Sequence, residues 1–110
     1  KTPQHLKLVV EELYDRLKAQ QRQNGVTLAS RIYALDKDNK GNFKTTLYFT
    51  ATDDFLNDER KNDILIGLFE FWKMRCGSNG VLQVGGACIL ILDKDDQVIG
   101  VANSATDIQI

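Results

Sequence analysis

Apolar residues recur at three- and four-residue spacing early in the chain, at Leu6, Val9, Val10, Leu13 and Leu17, while Lys7, Glu11, Glu12, Asp15 and Lys18 fill the opposite side. That period predicts an amphipathic helix. Thr2 and Pro3 read as its N-cap and first helical position, and Asn24-Gly25 as a left-handed C-cap. Its polar side mixes both signs of charge, where a helix lying on lipid would be basic, so it is expected to pack on the chain's own core.

From Val26 to Leu35, and again from Phe43 to Thr52, the period changes to two. In the second run Phe43, Thr45, Leu47, Phe49 and Ala51 point one way, and Lys44, Thr46, Tyr48, Thr50 and Thr52 the other. The Asp, Asn, Lys and Gly residues from Asp36 to Asn42 are turn formers, so the two runs predict a β-hairpin. A second helix is expected from near Asn57 to about Arg75, opened by Asp58 and Glu59 and stopped by Cys76-Gly77-Ser78-Asn79-Gly80. On a helical wheel Ile64, Leu65, Leu68, Phe69, Phe71 and Trp72 span about 160°, wider than the ~100° stripe of an ordinary surface helix. This helix should supply most of the core, with Trp72 as a packing anchor; Arg75, on the same side, is either a buried ion-pair partner or a side chain snorkelling at the helix end, the second being preferred.

The last third repeats the hairpin pattern: a strand from Val84 to Leu92, a turn at Asp93-Lys94-Asp95-Asp96, and a strand from Val98 to Ala102. Ala87-Cys88-Ile89-Leu90-Ile91-Leu92 is apolar at every position, the pattern of a central strand covered on both faces. The order αββαββ predicts one α+β domain over residues 1–110. Its expected form is a two-layer sandwich, with two helices on one face of a four-stranded, mainly antiparallel sheet. Leu35-Asp36-Lys37-Asp38 is echoed by Leu92-Asp93-Lys94-Asp95, and Ala51-Thr52-Asp53 by Ala105-Thr106-Asp107. Either the halves are related by duplication or hairpin turns draw on the same few residues. The order of elements is similar to that of roadblock-type domains, a likeness of arrangement that no motif of this chain extends to function.

Fourteen Lys and Arg stand against fifteen Asp and Glu, interleaved along 110 residues. A nucleic-acid binder normally shows a basic stripe, which this chain lacks. The apolar run at Ala87–Leu92 is far short of the ~20 residues that cross a bilayer. The sequence begins at Lys1, which leaves open whether Lys1 is a mature N-terminus. Cys76 and Cys88 are too few for a disulfide scaffold and leave the compartment open, with a slight lean to the cytoplasm. The Gly-rich segment between them allows either a bridge or two half-buried thiols, and the apolar strand around Cys88 favours thiols.

No catalytic set is assembled. Asp36 to Gly41 imitates the start of a calcium loop, but its fifth position is Lys40 and its twelfth Leu47, so no bidentate Glu closes a site. His5 is the one histidine and has no cysteine near it in sequence. Gly85-Gly86 precedes a strand, where a phosphate cradle would precede a helix, so a bulge or close backbone approach is the expectation. No metal or cofactor is implied. What remains is the sheet face opposite the helices, where Arg31, Tyr33, Lys44 and Tyr48 are expected to frame an apolar centre at Leu90. Such a composition fits a binding surface. The expected function is a non-enzymatic protein-binding or dimerisation module, of adaptor, inhibitor or immunity type, acting on another protein or as a two-fold homodimer. The alternative is a small-molecule sensor with a pocket between sheet and helices near Trp72 and Phe49.

Overall fold

The structure is a computed structural model and describes residues 2–25 and 27–110. Lys1, and Val26 as the expected opening of the first strand, lie outside the described residues. A 3-10 turn at Gln4–Leu6 leads into α1 (Lys7–Asn24), which ends at Gly25 in the left-handed region, with φ of 69°. Thr2 does not cap this helix: its hydroxyl oxygen instead accepts from the Ala34 backbone N–H at 3.3 Å. The strands are β1 (Ala29–Lys37), β2 (Phe43–Ala51), β3 (Ala87–Leu92), β4 (Val98–Ser104) and β5 (Asp107–Gln109). Between β2 and β3 lie a short α2 (Asp53–Leu56) and the long α3 (Lys61–Ser78).

The protein is α+β, as its pattern predicts, but the sheet has five strands in the order β1-β2-β3-β4-β5 instead of four. The extra strand is the polar tail, which turns at Ser104 to pair Ile108 with Ala102. The β2–β3 pair is parallel, with Leu47 opposite Ile89 and Phe49 opposite Ile91, while the other three pairs are antiparallel. The sheet is therefore mixed. Its crossover is α3, whose 18 residues carry the chain back along the sheet by about 27 Å, which neighbouring parallel strands require.

The second helix also starts differently from the expected Asn57. Thr52 caps α2 by accepting from the Phe55 N–H, with Asp53 and Asp54 in its first turn. Asp58 then folds a turn, accepting from the backbone N–H and the guanidinium of Arg60 before α3 begins. Arg75 pairs with Glu12 of α1 at 2.8 Å, so of its two expected roles it takes the ion pair, at partial exposure and not buried, in place of the preferred snorkelling.

The helices pack on one face. Leu6, Val9 and Leu13 meet Leu65, Leu68, Phe69 and Trp72 over Leu47, Phe49, Ile89 and Ile91, all in one buried cluster. Trp72 donates its indole N–H to the Thr45 carbonyl at 3.2 Å. The buried Thr45 hydroxyl donates to the Val81 carbonyl and accepts from Gln83 N–H, so this polar group is paired both ways. Gly85 supplies the expected close approach: its N–H donates to the Phe43 carbonyl at 2.9 Å, and a side chain there would clash with that oxygen.

Candidate functional site

The residues singled out on the open face do share it. Antiparallel register sets Arg31 opposite Thr50 and Tyr33 opposite Tyr48, and the parallel pair sets Tyr48 beside Leu90. Lys44 precedes them on β2 and reaches across β3 to donate to the Asn103 side-chain oxygen at 3.3 Å. The apolar centre of this face is not open to solvent: Leu90 is 3% exposed, Leu92 2% and Tyr48 8%, with Tyr33, Leu35 and Val101 packed around them.

The cover comes from side chains and turns. Tyr33 and Tyr48 stack with ring centroids 4.8 Å apart, and Arg31 lies over the Tyr33 ring while pairing with Asp96 at 3.0 Å. Tyr48 donates its hydroxyl proton to the Lys37 carbonyl, and burial raises its pKa. The two hairpin turns are built alike. Asp38 accepts from the N–H groups of Lys40 and Asn42, and Asp93 from those of Asp95 and Gln97. Burial pushes the Asp38 carboxyl up, but those two N–H groups, the Asn42 amide and the Lys44 charge outweigh it and hold its pKa below the usual value. Of the two acids of the calcium-like turn, Asp38 thus staples its own backbone and Asp36 points elsewhere, to His5 and Gln83 at 3.0 Å each.

Cys76 and Cys88 are free and buried. Cys76 belongs to the helix-side core, whereas Cys88 lies on the other face beside the Thr46 hydroxyl at 3.3 Å. The sheet between them rules out the bridge considered from sequence. Burial pushes the Cys76 thiol up to about 12 and raises Cys88 as well, so neither is activated as a thiolate. No group of three metal-ligating side chains occurs among the described residues, and no helix among them is long and apolar enough to cross a membrane.

A second feature was not legible as a site in the sequence. β1 is an edge strand of nine residues. Its Ala34 N–H points out of the sheet to Thr2, so by alternation the Ile32 N–H points out as well. The pairing of Thr45 N–H with Gly86 on the far side of β2 fixes the same phase independently. Beside this edge runs α1, and between them Val10, Glu11, Tyr14 and Asp15 face Ser30 and Ile32 across a cleft of about 530 Å3. The cleft continues past Leu17, Lys18 and Gln21 toward Thr27. From Thr27 to Ile32 an extended strand covers about 17 Å, the length of roughly five residues. Glu11 and Asp15 form no ion pair among the described residues, although like charges four apart on a helix repel. Compared with protein-family models, with curated proteins and with solved structures, the chain matches none.

Proposed function

We propose that the protein is a non-enzymatic protein-binding module that accepts an extended segment of its partner as a sixth strand along β1. The observation that carries this reading is the outward backbone of β1 at Ile32 beside the α1 cleft. Main-chain hydrogen bonds to the free edge give affinity in strand addition, and a neighbouring cleft selects alternate side chains. Here the cleft offers the half-buried Val10 and Ile32 and the exposed ring of Tyr14 to an apolar side chain, and Glu11 and Asp15 to a basic one. The face around Leu90, framed by Arg31, Tyr33, Lys44 and Tyr48, supports binding less well, because its apolar centre is already covered. A sensor pocket near Trp72 and Phe49 has less support still, since both side chains are fully buried in packed core.

A two-fold homodimer through β1 is the second reading. Glu11 and Lys18 both line the cleft, seven residues apart on α1, so antiparallel copies of α1 would set opposite charges side by side. The test is selection of peptides from a random display library against the wild-type protein. The winners are expected to be extended, apolar and basic, and to lose at least about tenfold in affinity on Tyr14→Lys, which changes an exposed ring. A library that gives no binder, or binders indifferent to Tyr14→Lys, contradicts the proposal. A concentration-dependent dimer in sedimentation that Tyr14→Lys abolishes makes the occupant a second copy.

A further inference from the structure

The outer edge of β1 is open along only part of its length. The α1 cleft follows it from Thr27 to Ile32, and none of the β1 residues beyond Ile32 lines that cleft. Past this point the edge is occupied. The Thr2 hydroxyl accepts the Ala34 N–H at 3.3 Å. The His5 ring is hydrogen-bonded to the Asp36 carboxylate at 3.0 Å, and the Gln83 amide holds the same carboxylate oxygen. Residues 2–5 are therefore tied to the second half of β1, and Leu6, fully buried in the core, anchors them from behind.

This segment covers the edge without offering a new one. Pro3 has no N–H to donate, and its carbonyl already accepts from the Leu6 N–H at 3.0 Å in the 3-10 turn. Its backbone is extended, with φ of −57° and ψ of 152°, yet a further strand finds neither a donor nor an open acceptor there. Cover and proline are ordinary means of blunting a sheet edge, and here they stop where the cleft begins. Resting on the strand-addition reading, we infer that residues 2–5 are a stop that ends the docking edge after Ile32, so that the partner strand enters in one register. A strand slipped by two residues toward Ala34 would have to displace Thr2 and Pro3, and a slip of one residue would turn its side chains away from the cleft. The recognised segment is thus short, about five residues opposite Thr27 to Ile32, and a longer partner must leave the sheet beyond Ile32.

The test compares the full wild-type chain with the double variant Thr2→Val, His5→Ala, which changes one half-buried and one exposed side chain and leaves Leu6 in place. In the free wild-type protein the Ala34 amide is expected to exchange far more slowly than that of Ile32, although both point out of the sheet. In the variant the Ala34 amide should exchange at least about tenfold faster, with Tyr33 unchanged. A peptide selected on the wild-type protein is then lengthened by about three residues, roughly 10 Å, at the end that a spin label places beside Ile32. The extension should alter affinity for the wild type by less than about twofold and raise it for the variant by at least about fivefold. Ala34 exchange as fast as that of Ile32 in the wild type, or unchanged in the variant, overturns the inference, as does an extension that strengthens binding equally in both proteins. Those results leave strand addition standing, whereas a library that gives no binder removes that reading and the stop with it.

Discussion

The two faces of β3 reach the same burial by different means. Ala87, Ile89 and Ile91 lie beneath α1 and α3, whereas Cys88, Leu90 and Leu92 have no helix above them, yet all six are within 8% of full burial. On the second face a tyrosine stack, Val101 and the ends of two hairpins close over the strand. A strand apolar at every position therefore does not require a second layer of secondary structure. It requires only that large neighbours lie across it.

The two kinds of cover should respond differently to damage. On the helix face the surroundings are held by two long helices and relax little, so Phe49→Ala should cost about 3–5 kcal/mol in chemical denaturation. On the outer face the covering side chains can settle or admit water, and Leu90→Ala should cost only about 2–3 kcal/mol. An equal loss would mean that the outer cover is as rigid as the helical one. The thiols give the same comparison in the native state. Alkylation should find two free thiols and label Cys88 at least about tenfold faster than Cys76, because a hairpin end opens more easily than the core. Equal rates would show that both are reached only by global unfolding.

Smaller effects test the turns and the remaining polar atoms. Asp38 has a folded pKa below its ordinary value of 3.8, so it stabilises the protein above that pH, and the contribution is lost as pH falls through the folded value. Asp38→Asn should accordingly lower stability at pH 7 by roughly 1 kcal/mol, discounted for its partial exposure, and make the protein less sensitive to acid. A denaturation midpoint equally acid-sensitive in the variant would place the effect elsewhere. Smallest of all, the Thr50 hydroxyl is buried on the outer face without a hydrogen-bond partner among the described residues. Thr50→Val keeps the shape and removes the orphaned group, so its stability should be unchanged or higher by up to about 1 kcal/mol. A clear loss would reveal a partner for that hydroxyl.

The layer of helices and the arms of both hairpins were legible because their periodicity is local. Leu6 to Leu17 and Ile64 to Trp72 announce buried helix sides, and Thr45, Leu47 and Phe49 a buried strand side. The fifth strand was not legible, since Asp107-Ile108-Gln109 offers one apolar residue and is held by pairing with β4, a contact that exists only in the fold. Thr52 was likewise read as the end of a strand, although its hydroxyl caps the next helix. The repeated Leu-Asp-Lys-Asp also misled in register. The two turns match at Asp38 and Asp93, whereas the sequence echo would align Asp36 with Asp93. That offset favours common turn chemistry over duplication. The face of Arg31, Tyr33, Lys44, Tyr48 and Leu90 followed from alternation, but its cover depends on how the hairpins bend. The β1 edge needed the pairing order before it could be seen at all.

Amide hydrogen exchange at Ile32 tests the proposed strand addition most directly. In the free protein this N–H faces outward and should exchange far faster than that of Tyr33, which faces β2 in the same strand. With a selected peptide bound, the Ile32 amide should slow by at least about a hundredfold while Tyr33 changes little. Binding that leaves the Ile32 exchange rate unchanged would contradict the account.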